Sequence, residues 1–368
     1  MTKIALDVAN ATTSVAAGGP IRRRVPRLED DNRVDGDEVI ALLKSSGYWG
    51  REMDEKLAPV LTDVTRTFRA AYGRRSGVFT SVVAREEGAL IGHASSLRTY
   101  DRTWMTQHLA TSPSWHVADL LCIRAGDHLL QTTNVEFFKI WYQDHNTWPA
   151  RVFGGFAHGV AGSARSDLRG YRHVTIATGG ARVGLSTDID VREATADDLA
   201  RVAGYFADSE APILVRSDGL DRAGLALDDV RRAFRDAGLV RCRQILAATR
   251  RGVCVGFAIP ELSSVGLNLY EILSAFRIFI LPGGEGDEPA VRSVLSDEVR
   301  RLYAAAGRAT AHGLASPGEV SGYQRLGFEI DSETWMCWTF DREVYQGFRA
   351  HLERLFDRLR RARVPSSQ

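Results

Sequence analysis

The spacing of apolar residues changes several times along the chain, and each change marks an element. Residues 36–43 open a helix, and Leu57, Val60, Leu61, Val64 and Phe68 continue at helical spacing. Residues 77–94 alternate instead, with Gly88 where a hairpin has to turn. The pattern then predicts strand segments over 104–109 and 117–123, a loop at 124–128 and a helix over 129–145. That helix offers Phe137, Phe138, Ile140 and Trp141 to the core. Strands are expected at 151–160 and 170–176. A glycine-rich run at 179–188 breaks the pattern and reads as a linker.

Beyond the linker a similar order returns. Residues 190–194 form a strand, and Thr195 with Asp198 three positions on signals a capped helix. A second helix starts near Asp228 and stops at Gly238. A hairpin over 243–258 turns at Gly252, and a strand follows at 275–281. A glycine loop at 282–286, a helix at 290–306 and a strand at 311–314 come next. Gly327 stands where a short helix hands over to the strand at 335–340, a place that favours positive φ.

The two halves can be overlaid. VAREEGALIGHA (83–94) lies on AATRRGVCVGFA (247–258) without gaps, putting Gly88 on Gly252, Gly92 on Gly256 and Ala94 on Ala258. Further on, AHGV (157–160) lies on AHGL (311–314), and Gly170-Tyr171 on Gly327-Phe328. Matches in the same order point to duplication of one α/β unit. The expected organisation is a flexible arm over 1–34, one unit over 35–178, a linker over 179–188 and a second unit over 189–368. A chain of 368 residues has room for two such domains.

Charge narrows the partners. With 47 basic and 46 acidic residues the net charge is +1, which gives no electrostatic ground for a nucleic-acid partner or a membrane surface. A basic cluster at 21–27 reads as a solvated flank. No apolar run approaches the ~18 residues of a membrane span, and no secretory leader is recognisable, so a cytoplasmic protein is expected. Cys122, Cys242, Cys254 and Cys337 are scattered and read as reduced thiols. His93, His108, His116 and His128 lack metal-ligand spacing, and no metal is expected. Oligomeric state has no signature in the sequence.

Tyr323-Gln324-Arg325-Leu326-Gly327-Phe328, leading into a strand, resembles the Y-x-[KR]-x-G-F segment that closes the GNAT superfamily of acyl-CoA-dependent N-acyltransferases. The resemblance covers most of residues 190–345 and is weaker over 35–178. It implies an α/β (α+β) fold of two tandem GNAT-like domains, each a mixed, mostly antiparallel sheet flanked by helices. It further implies acetyl-CoA or another acyl-CoA as co-substrate and a small-molecule amine or peptide as acceptor. Tyr323 matches the position that protonates the thiolate leaving group. The first half has Ser166 there, which favours the second half as the catalytic one. Glu261 and Glu271 are the carboxylates nearest in sequence to the region of a general base.

The family's pyrophosphate loop, [QR]-x-x-G-x-[GA], corresponds to Gly283, Gly284 and Gly286 in the second half and to Arg124 and Gly126 in the first. The second-half loop lacks the leading Arg or Gln and carries three carboxylates. His158 and His312, each in an AHG[VL] stretch, are either substrate contacts or fold residues bonded to backbone. Trp104 and His108 are pocket-lining candidates in the first half. The alternative reading is a catalytically inactive module for ligand sensing or protein interaction.

Overall fold

The computed structural model describes residues 26–30, 34–73, 76–114, 117–180, 188–221 and 223–362. In chain order the first half runs β1 (Arg27–Asp30), α1 (Gly36–Ser45), α2 (Arg51–Leu57), α3 (Leu61–Tyr72), β2 (Phe79–Glu86), β3 (Ala89–Tyr100) and β4 (Thr103–Thr111). Then come α4 (Ala118–Thr132), β5 (Phe137–Gln143), α5 (Thr147–Pro149), a π turn (Ala150–Gly154), α6 (Gly155–Val160) and β6 (Ser166–Ala177). The second half runs β7 (Ile189–Glu193), α7 (Ala196–Ser209), α8 (Pro212–Ser217), α9 (Asp228–Asp236), β8 (Arg241–Arg243), β9 (Leu246–Arg250) and β10 (Val253–Ser263). It ends with β11 (Ala275–Ile280), α10 (Glu288–Ala305), β12 (Thr310–Ala315), α11 (Val320–Arg325), β13 (Glu329–Asp341) and α12 (Arg342–Ala362).

One sheet holds all of it, in the order β1-β2-β3-β4-β5-β13-β6-β12-β11-β10-β9-β7, with β8 paired to β10. Two neighbours are parallel, β4 with β5 and β11 with β12; the other pairings are antiparallel. Read inward from its two edges, the sheet repeats one order. The last strand of each half, however, lies against the other half. β6 pairs with β12 from Thr310↔Ala177 to Ala315↔Arg172, and β13 pairs with β5 from Trp335↔Gln143 to Asp341↔Phe137. The glycine-rich run at 179–188 joins β6 to β7, its residues 181–187 lying outside the described ones, and the sheet does not part there.

Helices cover both faces. On one, α4, α6 and α12 pack over Trp104, Phe138, Trp338 and Phe340, while α10 and α11 pack over Val174, Phe276 and Ile278. On the other face α1–α3 cover the first half, joined by α9 of the second half, whose Phe234 and Val230 enter the same core. α8 places Ile213 and Leu214 against Phe137 of β5. Helix α7 closes the second half with Val202 and Phe206.

Several expectations are corrected. Residues 117–123 begin helix α4 rather than a strand, and 124–128 lie inside that helix rather than in a loop. Residues 129–145 are not one helix: α4 ends at Thr132 and Phe137–Gln143 is a strand. With both faces of β5 covered, alternation is lost and its aromatic run imitates a helix face. Residues 151–160 are a helical turn rather than a strand. AHGV is therefore helical while AHGL is strand β12, and Gly170 is mid-strand while Gly327 is a turn at φ +78°. Arg27–Asp30, placed in a flexible arm, is an edge strand on β2, and the 21–27 cluster lies outside the described residues except at its end.

The hairpin match holds in space. Gly88 and Gly252 turn β2–β3 and β9–β10 with φ of +87° and +79°. A methyl at Gly92 would come within 2.9 Å of Leu121, and one at Gly256 within 2.5 Å of Val291. Each contact residue is the fourth of its helix, α4 or α10. The same small residue thus lets the same helix press onto the same strand in both halves.

Candidate functional site

Each parallel pair diverges soon after it forms. β4 and β5 pair from Thr103↔Phe137 to Thr106↔Ile140, and β11 and β12 pair only at Ala275↔His312 and Phe276↔Gly313. Past those points the strands separate, and the first strand of each pair leads to the N-terminus of α4 or α10. In β4 a bulge follows, with His108 at φ +53° and the register slipping between Ser95↔Gln107 and His93↔Ala110.

The first half's divergence is occupied by the second half. The β10–β11 loop, residues 264–274, buries Leu267 and Leu269 among α1–α3. Gln107 donates to the Leu267 carbonyl at 3.2 Å and accepts from Asn268 at 3.2 Å. His108 stacks on Phe68 and bonds Tyr72 through Nδ1 at 2.7 Å; burial pulls its pKa down to about 3. Trp104 points to the opposite face, in the core under α4 and α12. Those two predicted pocket residues do not meet.

In the second half, residues 281–287 link β11 to α10 and contain the three predicted glycines. Gly283 has φ +90°, and a Cβ on Gly284 would strike the Val255 carbonyl at 2.3 Å, so both need to be glycine for the turn itself. Asp287 is paired with Arg250, and Glu288 with Arg292 at 3.0 Å. Arg292 is buried, with Nε and Nη1 unpartnered, and its guanidinium lies 4.8 Å from the centre of the Tyr323 ring. Tyr323 is fully buried among Phe276 and Phe328. Burial raises its pKa, against Arg292 and the backbone at Ile278, so the phenol stays neutral. Ile278 belongs to the stretch of β11 without a β12 partner, and it shares a core cluster with the tyrosine.

A small central cavity, about 40 Å³, lies on the α1–α3 and α8 side at the foot of both divergences. Its floor is charged. Glu261 accepts from Arg241 at 2.5 Å and Arg243 at 2.8 Å; burial disfavours its charge, yet the two arginines outweigh that and hold its pKa at about 2. Lys139 pairs with Asp218 at 2.5 Å, both nearly inaccessible. Arg277 reaches from β11, and Trp141 and Tyr171 form an aromatic wall, their ring centres 5.5 Å apart.

Beside this cavity sit two more predicted residues. Glu271, at φ +57° and nearly buried, has its pKa raised by burial. His312 on β12 is half-buried and pulled down to about 3 by burial, then by Lys56. Lys56 and Arg308 lie within electrostatic reach of both, so the fold gathers Glu271 and His312 into one neighbourhood. It does not gather the rest. His158 is exposed on α6, Arg124 pairs with Asp30, and Gly126 gives room to the Tyr345 phenol. Ser166 is no counterpart of Tyr323, since it opens β6 and accepts from the Trp338 indole.

Sequence reasoning missed Lys139, Asp218 and Arg277. A signal existed, since Lys139 and Arg277 are single charges inside the apolar runs Phe138-Lys139-Ile140 and Phe276-Arg277-Ile278. A second opening of about 360 Å³ is lined by Pro317, Val320 and Ile330 together with Arg172, Gln324 and Asp331. Among the described residues, the one trio within metal-binding reach is Asp144, His145 and Glu333, on the surface. No described helix is long and apolar enough to cross a membrane.

No family model and no curated protein matches the sequence. Among solved structures the chain is similar to a tandem GNAT protein from the clavulanic acid biosynthesis pathway, at 14% identity and TM-score 0.45, over 86% of this chain and 98% of that one. It is also similar to a GCN5-related N-acetyltransferase from Sphaerobacter thermophilus, at 14% identity and TM-score 0.48, over 85% and 95%. A putative acetyltransferase from Pyrococcus horikoshii is similar at 9% identity and TM-score 0.43, over 89% and 92%.

Proposed function

We propose that the protein is a GNAT-type N-acyltransferase whose acyl thioester enters between β11 and β12 and whose amine acceptor occupies the central cavity. The observation that carries this reading is the divergence of β11 from β12 directly before the loop to the N-terminus of α10. Unpaired strand backbone suits an extended amide-bearing chain, and free N–H groups at a helix start suit a phosphate.

In this mechanism the amine nitrogen attacks the thioester carbonyl and the C–S bond breaks. Tyr323, kept neutral by burial, gives its proton to the departing thiolate. Glu271 takes the proton of the attacking amine, its raised pKa making it a better base than Glu261. Glu261 instead fixes Arg241 and Arg243 and so joins β8 to β10. Closed as it is, Tyr323 has to be uncovered by the incoming thioester.

Thermal shift with acetyl-CoA and longer acyl-CoAs tests the donor site, because a ligand that binds the folded state raises its melting temperature. Tyr323→Phe should keep that shift and lose turnover. With Glu271 as base, kcat should fall on the acid side at a pH above the ordinary carboxylate value of 4.5, and Glu271→Gln should abolish that limb. Absence of any shift at millimolar acyl-CoA removes the reading.

A second reading, a non-catalytic ligand sensor, is favoured by one observation. The start of α10 is crowded with carboxylates already paired to Arg250 and Arg292, and these compete for the place of a phosphate. On that reading acyl-CoA leaves the melting temperature unchanged while the central cavity still takes a ligand.

A further inference from the structure

β5 and β13 are paired antiparallel as far as Trp335↔Gln143, and Asp144 still donates its amide to the Thr334 carbonyl at 3.0 Å. Carried one step further, that register sets His145 opposite Glu333. Both strands leave the ladder here. Asn146 closes a turn back onto the Gln143 carbonyl at 3.1 Å, and β13 slips against β6 between Ile330↔Val174 and Thr334↔Arg172. Arg172 holds that bulge by donating to the Asp331 and Ser332 carbonyls. In a regular strand Asp144 and His145 would point to opposite faces. The turn instead brings them together with Glu333, and one donor atom from each of the three lies within 4.8 Å of the other two.

The imidazole makes this more than an acidic corner. His145 Nδ1 meets Glu333 Oε2 and lies 3.9 Å from Asp144 Oδ1, so one nitrogen faces two carboxylates. Among the described residues, neither carboxylate has an Arg or Lys ion-pair partner. With the imidazole neutral, two negative charges stand here without a counter-charge, and a divalent cation supplies one. One nitrogen and two carboxylate oxygens suit zinc and its first-row neighbours, whereas magnesium and calcium take oxygen donors. Metal bonds of about 2 Å need donor atoms within about 4 Å of one another, so these surface side chains have roughly 1 Å to close. Water would fill the remaining position.

We propose that Asp144, His145 and Glu333 form a binding site for one divalent transition-metal ion of the zinc class, which staples the end of β5 to β13. Because β5 belongs to the first half and β13 closes the second, the ion ties the exchanged strands together where their ladder ends. The site does not rest on the acyl-transfer reading.

Calorimetric titration of the full chain with Zn²⁺, without any acyl-CoA, tests the site apart from the reaction. One ion per chain should bind saturably and raise the melting temperature. Mg²⁺ or Ca²⁺ should bind at least about tenfold more weakly. His145→Ala and Glu333→Gln should each weaken Zn²⁺ at least about tenfold, while Cys122→Ser and Cys242→Ser, which remove the two half-buried thiols, should leave its binding unchanged. His145 is exposed and Glu333 partly so, and the metal-free variants should melt with the parent, which separates lost binding from lost folding. If either variant melts lower, Asp144→Asn takes its place. Absent binding by the parent, equal binding of Mg²⁺, binding lost with a thiol, or undiminished binding by the ligand variants would each overturn the proposal. A null result with acyl-CoA alongside saturable Zn²⁺ binding would remove the transferase reading and leave this site standing.

Discussion

The two halves close their diverging strands by different means. In the first, a loop from the other half, residues 264–274, covers β4 with Leu267 and Leu269 and satisfies Gln107 through the Leu267 carbonyl and Asn268. In the second, a single side chain from its own short helix, Tyr323, stands against β11. Opening the first gap means pulling a packed loop out of a core shared by α1–α3 and α9. Opening the second means moving one ring and one helix of six residues. The two halves share a hairpin and a helix contact and differ in what lies against their diverging strands.

Cutting the chain between β6 and β7 should have the largest effect. Because β6 and β13 are exchanged, each fragment would lose its neighbour's final strand and expose an unpaired edge. Neither fragment alone should show a cooperative urea transition, and mixing the two should restore one. A fragment that unfolds cooperatively by itself would show the halves to be independent after all.

Leu269→Ala should come next, at about 2–5 kcal/mol by chemical denaturation, since the side chain is fully buried in the first half's core. If the loop is only a cover rather than part of that core, the loss will be well under 1 kcal/mol. Smallest are the paired changes Gly92→Ala and Gly256→Ala. Each forces a methyl against the fourth residue of α4 or α10 and should cost about 1–3 kcal/mol. Similar losses would confirm that the two contacts are equivalent, and a cost confined to Gly92 would separate them.

Local signals served well where one face of an element met water or where a turn required glycine. The hairpins turning at Gly88 and Gly252, the Thr195–Asp198 capping box and the Gly327 turn were all legible for that reason. Doubly covered segments were not. Phe137–Gln143 buries both faces, so its pattern carried no period, and the helical turn at 150–160 was hidden behind glycines and small residues. The site was legible only in part. Glu271 and His312 were named separately, and only folding put Lys56 and Arg308 within reach of both.

What the sequence determined by itself is the pair of matching hairpins and the small residues that make them possible. Those depend on contacts a few positions apart or on the conformational freedom of one residue. Only the tertiary structure decided that the last strands trade places, that a loop of one half seals the other, and that Arg277 comes to lie beside Asp218. Each depends on which distant segments come to lie side by side, and residues such as Arg277 and Asp218, 59 positions apart, carry no local mark of that meeting.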